Sequence, residues 1–262
     1  MSGVHGHPVW FELATTKGKL DAAGDFYGTV LGWRIADSGS EAMTYHLASA
    51  GGDMVAGLME MPDDISGMGP NWTLYFGVDD TDKAAAHIRA AGGRVLQEPA
   101  DIPGTGRFAV AADPQGAPFG LLCPLPMADG NEARAFHPEK AGHANWTELA
   151  SSDPAAGFDF YARLFGWTAG EAMDMGEMGT YQLFRQGGAD IGAVMALGQA
   201  PQSRWLVYFG VNGINPVIGR ITGAGGAIRH GPTPVPGDAH IVVATDPQGA
   251  WFALVGPLEE TP

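Results

Sequence analysis

With one cysteine in 262 residues, Cys123, the chain can form no intrachain disulfide and no thiolate cluster on a metal. Positive charge is scarce as well. Fourteen Lys and Arg stand against 29 Asp and Glu, for a formal net charge of -15. Such a chain repels phosphate backbones and anionic lipid surfaces, and no Lys/Arg-rich run offsets this, so neither nucleic acid nor a membrane is expected as a partner. No stretch approaches the ~18 consecutive apolar residues of a membrane-spanning helix. The opening MSGVHGHPVW lacks the basic segment followed by an apolar one that marks a secretory leader, so a cytoplasmic location is the expectation. What the chain does have is apolar bulk, 45% against 16% charged, which is enough to build a folded core.

That bulk is arranged twice over. Trp10-Phe11-Glu12-Leu13-Ala14 matches Trp146-Thr147-Glu148-Leu149-Ala150, Phe26-Tyr27 matches Phe160-Tyr161, and Gly32-Trp33 matches Gly166-Trp167. Tyr45 aligns with Tyr181, Trp72 with Trp205, Tyr75-Phe76-Gly77-Val78 with Tyr208-Phe209-Gly210-Val211, and both copies carry Asp-Pro-Gln-Gly-Ala, at 113–117 and 246–250. Residues 125–142, rich in Pro, Gly and charge without apolar periodicity, read as a linker between a first domain, 1 to about 124, and a second, 143 to about 258. Within each copy a short strand precedes a helix that ends on Gly32 or Gly166, and two strands follow, turning at Gly-Gly. The order then starts again. TLYFGV or LVYFGV is a strand, the next helix ends on glycines, and two or three strands close the copy around the Asp-Pro-Gln-Gly turn.

The strand, the helix with Phe-Tyr ending in LGW or FGW, the helix ending in AGG, and the GRFAVAADPQGAPFGLL or HIVVATDPQGAWFALV tail together resemble the vicinal-oxygen-chelate superfamily. That group includes glyoxalase I, extradiol dioxygenases and the bleomycin- and fosfomycin-resistance proteins. The chain is similar, over nearly its whole length, to tandem glyoxalase-like proteins of actinobacteria. The resemblance implies an α+β fold of two tandem glyoxalase-like domains, each made of two βαβββ modules that form a curved open sheet with helices outside. It also implies metal ligands, His, Gln or Glu, on the first and last strands of the modules.

The matching positions here hold Trp10 and Trp146, Thr73 and Leu206, and Gly120 and Ala253, none of them a donor of the required kind. The remaining position falls near Gly57 to Met59 and Ala193 to Met195, where Glu60 is the only acid nearby. The expectation is therefore a metal-independent protein with no cofactor. The alternative is an unusual site in the first copy drawing on Glu12, Glu148, His46, His5 and His7.

Strand alternation assigns faces. It turns Trp10, Glu12, Thr73, Tyr75 and Arg107 into the first cleft, and Trp146, Glu148, Tyr208, His240, Trp251 and Ala253 into the second. Indoles and phenols supply stacking area, while a carboxylate and a cation supply orientation, which is what small-molecule pockets need. Glu12 and Glu148 are equally readable as structural carboxylates paired inside the sheet. Trp10, Trp146, Tyr75 and Tyr208 are also readable as packing.

Two functions follow from these residues. In one, the chain holds a small hydrophobic or aromatic ligand in its clefts. In the other it is an enzyme of the lyase, isomerase or hydroxylase kind, with Glu12 or Glu148 as general base and Arg107 or His240 stabilising negative charge. A scaffold for partner proteins is a third reading, and the sequence says nothing of oligomeric state.

Overall fold

The computed structural model describes residues 3–40, 43–61, 69–125, 134–198 and 200–259, so 126–133 of the expected linker lie outside the described residues. The first copy runs β1 (Pro8–Thr15), α1 (Leu20–Leu31), β2 (Arg34–Asp37), β3 (Tyr45–Ala50) and β4 (Asp53–Glu60). It continues with β5 (Asn71–Gly77), α2 (Thr81–Ala90), β6 (Arg94–Ile102), β7 (Gly106–Ala112) and β8 (Pro118–Pro124). The second repeats the order with β9 (Ala144–Ser151), α3 (Pro154–Phe165), β10 (Thr168–Asp174), β11 (Thr180–Gln186) and β12 (Ala189–Ala196). It ends with β13 (Arg204–Gly210), α4 (Ile214–Gly223), β14 (Ala227–Val235), β15 (Ala239–Thr245) and β16 (Trp251–Gly256). The βαβββ order thus occurs four times, and the fold is α+β as expected. Two mixed sheets result, ordered β2-β3-β4-β1-β5-β8-β7-β6 and β10-β11-β12-β9-β13-β16-β15-β14.

Local chemistry explains the boundaries. Gly32 and Gly166 adopt left-handed φ of 71° and 76°, and their N–H groups bond back to Gly28 and Ala162, closing α1 and α3. Asp153 caps α3 by accepting from the Ala156 N–H, and Pro154 fills the first helical position, where no N–H is needed. On β1, Phe11 and Leu13 are fully buried while Trp10, Glu12 and Ala14 are half-buried, so one face packs and the other stays open.

By packing, the chain divides into two compact units, each taking a part of both repeats. One comprises Met1–Val9, Leu74–Ala133 and Thr147–Leu206, and the other Trp10–Thr73, Arg134–Trp146 and Val207–Pro262. In the second unit the Tyr27 ring is surrounded by Phe26, Trp72, Phe252 and Trp33, with centroids 5.0 to 5.9 Å away. Its phenol accepts from the Trp72 indole at 2.9 Å and donates to Asp246 of the Asp-Pro-Gln-Gly turn at 3.2 Å. The first unit is built the same way around Tyr161, ringed by Phe160, Phe119, Trp205 and Trp167. Here Trp205 donates to the Tyr161 phenol at 3.0 Å, which donates to Asp113 at 3.1 Å. The most recognisable residues of the repeat, Phe-Tyr, Gly-Trp and Asp-Pro-Gln-Gly, are therefore core. No helix among the described residues is long and apolar enough to cross a membrane.

Candidate functional site

On the open face of β1, opposite the buried Phe11 and Leu13, the side chains of Trp10 and Glu12 meet Tyr45 from β3. The Trp10 indole donates to the Tyr45 phenol at 2.9 Å, and the phenol donates to Glu12 Oε2 at 2.9 Å. Tyr45 reaches Glu12 across the intervening strand β4, where Glu12 and Leu47 both pair with Gly57. A Cβ at Gly57 would collide with the phenol, so glycine is what lets the ring lie flat there. Burial pushes the Tyr45 phenol's pKa up and the Glu12 charge pushes it further, so the group stays a proton donor to the carboxylate.

The second copy repeats the pair. Tyr181 on β11 donates to Glu148 Oε2 on β9 at 3.0 Å, and Ala193 pairs with both Leu183 and Glu148 where the first copy has Gly57. Trp146 lies on the same face of β9 as Glu148 and is half-buried. Sequence reasoning selected both glutamates but not the tyrosines that hold them, although each tyrosine follows its glutamate by 33 positions. That equal spacing across copies is the signal that could have found them.

Tyr75 is 6% exposed and pairs with Gly120 of β8, over which its ring lies. Any side chain at Gly120 would collide with that ring. Thr73, half-buried on the same face of β5, donates to the Asn71 side chain at 3.3 Å. In the other copy Tyr208 pairs with Ala253, and Trp251 projects from the start of β16 with 38% of its surface exposed. By register these residues share the face opposite the helix-packed one, with Tyr75 and Tyr208 buried in it and Trp251 exposed at its edge.

Arg107 and His240 do not. Their strands were expected to turn them inward with the alanines, yet Ala109, Ala111, Val242 and Ala244 are fully buried while Phe108, Val110, Ile241 and Val243 are half-buried. Arg107 is paired to Asp82 of α2 at 2.7 Å and to Asp101 at 2.9 Å, which places it on the helix side. The pairs hold its pKa above the usual guanidinium range. His240 shares the face of Val242 and Ala244, and its Nδ1 is buried with no partner. The physical reason is close packing: beneath α2 and α4 the space beside these strands is filled by Phe119 and Leu121 of β8 and by Phe252 and Leu254 of β16, which leaves smaller residues on β7 and β15.

The positions that would supply metal ligands hold other chemistry. The Trp10 indole is committed to Tyr45, Gly120 lies beneath Tyr75, Ala253 is fully buried, and Leu206 and Trp146 carry no metal donor. His46 shares the face of the fully buried Ala48, opposite Tyr45, so it does not meet Glu12. His5 lies 3.7 Å from Asp79. Among the described residues no group of three or more His, Cys, Asp or Glu comes together in a metal-holding arrangement. The residues at these positions do not fit a His/Glu metal centre.

The comparisons with known proteins are consistent with this architecture. A model of the Glyoxalase/Bleomycin resistance protein/Dioxygenase superfamily matches residues 12–121 and 143–254. The chain is similar to CFP32 of Mycobacterium tuberculosis, a glyoxylase candidate by name, with 30% identity over 259 residues, covering 96% of this chain and 95% of that one. It is equally similar to the anthracycline biosynthesis protein DnrV of Streptomyces peucetius, 30% identical over 268 residues, covering 95% and 93%. Among solved structures, the Mn(II)-bound glyoxalase from Novosphingobium aromaticivorans superposes with a TM-score of 0.64 at 18% identity, covering 98% of this chain and 84% of that one, a likeness of fold.

Proposed function

Because the chain belongs to the Glyoxalase/Bleomycin resistance protein/Dioxygenase superfamily, we propose that it binds a small planar organic molecule on the open faces of its sheets, without a catalytic metal. The observation that carries this reading is the duplicated carboxylate held by a phenol, Glu12 by Tyr45 and Glu148 by Tyr181, where a metal site would need free donors. A carboxylate fixed in this way orients a ligand's N–H or O–H, and the half-buried indoles of Trp10 and Trp146 offer stacking area. One relative is named for anthracycline biosynthesis, and anthracyclines are planar polycyclic aromatics. Thermal unfolding against a panel of planar aromatics checks the reading. A ligand at a hundred times its Kd stabilises by about 2.7 kcal/mol. A flat response across the panel overturns the proposal, as does binding that vanishes with chelator and returns with Mn(II).

The same pair favours a second reading, proton-transfer catalysis with Glu12 or Glu148 as base and the tyrosine as its positioning donor. It predicts turnover of a substrate such as the methylglyoxal–glutathione adduct that disappears in Glu12→Gln or Glu148→Gln while ligand-induced stabilisation persists. Turnover unchanged in both variants removes the glutamates as bases.

A further inference from the structure

We propose that Arg229 and Trp251 of the second copy form a recognition element for the anionic group of a planar aromatic ligand, and that the first copy lacks it. The inference rests on the reading that the open sheet face takes the ligand, and it adds the ligand's charge. Trp251 pairs across the sheet with Thr245, and Val243 pairs with Ala253, which pairs in turn with Tyr208, so all five share one face. Arg229 on β14 joins them. Its Nε donates to Thr245 Oγ1 at 3.1 Å, and its guanidinium carbon lies 5.9 Å from the centre of the Trp251 ring.

Three properties turn this corner into a site. The guanidinium is anchored at Nε, so its plane is set while the terminal N–H groups remain available for a two-pronged bond to a carboxylate or sulfonate. Among the described residues Arg229 forms no ion pair, in a chain whose net charge is -15. Arg107, by contrast, is fully engaged by Asp82 and Asp101. Trp251 keeps 38% of its surface exposed beside the cation, which leaves its ring face open to a flat ligand.

The first copy shows the contrast. Counting from Gly92-Gly93 and Gly225-Gly226, Arg229 corresponds to Leu96, and counting from the two Asp-Pro-Gln-Gly turns, Thr245 and Trp251 correspond to Ala112 and Pro118. Leu96, Ala112 and Pro118 replace guanidinium, anchor and indole together; Arg94 pairs with Ala112 across the strands, but it finds neither a hydroxyl to fix its plane nor an indole beside it at these positions.

The test is calorimetric titration of the full chain with 2-naphthoate and its neutral counterpart 2-naphthamide. Naphthoate is expected to bind about tenfold more tightly, the strength of one charge-assisted hydrogen bond. Its affinity should fall as NaCl is raised while that of the amide does not. Arg229→Gln should bring naphthoate down to the amide's affinity, Arg229→Lys should restore part of the difference, and Trp251→Ala should weaken both ligands. Equal affinities in the wild type, or a preference that survives Arg229→Gln, overturn this inference and leave the proposed function standing. If neither compound binds, this inference falls, and the panel of planar aromatics decides the proposed function separately. The salt dependence is read on the unaltered protein, so the test does not hang on any variant folding.

Discussion

At the scale of single residues, the tyrosine and aspartate at each core are the most exacting pair. Asp246 Oδ1 accepts the N–H groups of Gln248 and Ala250 at 2.9 Å, and its second oxygen takes the Tyr27 phenol. Burial raises the pKa of Asp246, as it does that of Asp113, against the lowering effect of these bonds. A raised folded value means that the native state holds its proton more firmly than the unfolded chain. Stability therefore falls as pH rises from about 4 to that value and is flat beyond it. Asp246→Asn keeps an acceptor for the turn and is expected to unfold within about 1 kcal/mol of wild type at neutral pH, with the downward slope reduced. Asp246→Ala is expected to lose about 1–3 kcal/mol, because buried N–H groups go unpaired. Chemical denaturation across pH 4 to 8 checks both. Single residues are also where the sequence misled. It sent Arg107 and His240 to the open face because Phe108 and Val110 are bulky and apolar, but Phe119 and Phe252 of the neighbouring strands already fill the space under the helices opposite Ala111 and Ala244.

At the scale of elements, two short segments do equivalent work. The Gly6 carbonyl accepts the Trp167 indole at 2.7 Å in one unit, and the Gly142 carbonyl accepts the Trp33 indole at 2.7 Å in the other. Each glycine also bonds to the end of a strand, Gly77 or Gly210. The segment around Gly142 is further tied to the start of β4, where Asp53 meets Arg134 and Lys140 at 3.1 Å and His143 at 3.2 Å. The Lys140 ammonium, then Arg134, hold the Asp53 carboxyl down to about 2. A depressed value contributes stability that is complete above about pH 4 and lost as pH falls toward 2. Asp53→Asn is expected to cost about 1 kcal/mol and to speed amide exchange at residues 137–143, with no change at residues 4–7. Most elements were legible because their signals are local: the glycine caps of α1 and α3, the Asp-Pro-Gln-Gly turns, and the alternation on β1. The strands β2 and β10 were not, since Arg34–Asp37 and Thr168–Asp174 are mostly exposed edge strands with no apolar alternation to read. The glutamates of the candidate site were visible as a repeat, and their equal spacing to Tyr45 and Tyr181 points to the tyrosines as well, while the hydrogen bond between them comes from the pairing register across β4 and β12.

At the scale of the whole molecule, the repeat and the packing unit are different divisions of the chain. Tyr27 and Phe26 belong to the first repeat, yet Asp246 and Phe252 that bury them belong to the second. A chain cut between residues 126 and 133 is therefore expected to yield halves that aggregate or show no fixed aromatic packing when made separately. Mixing or co-expressing them should restore a native near-ultraviolet spectrum and a single species on size exclusion. A half that folds alone as a monomer would contradict the packing described here. The same interleaving sets a timetable on the ribosome. At about 5–20 residues per second, the 48 positions between Asp113 and Tyr161 are crossed in about 2–10 s, and the 219 between Tyr27 and Asp246 in about 10–45 s. The part of the earliest-made helix that Phe252 and Asp246 cover must therefore wait until translation is nearly over, and a nascent chain stalled midway leaves that part for chaperones to shield.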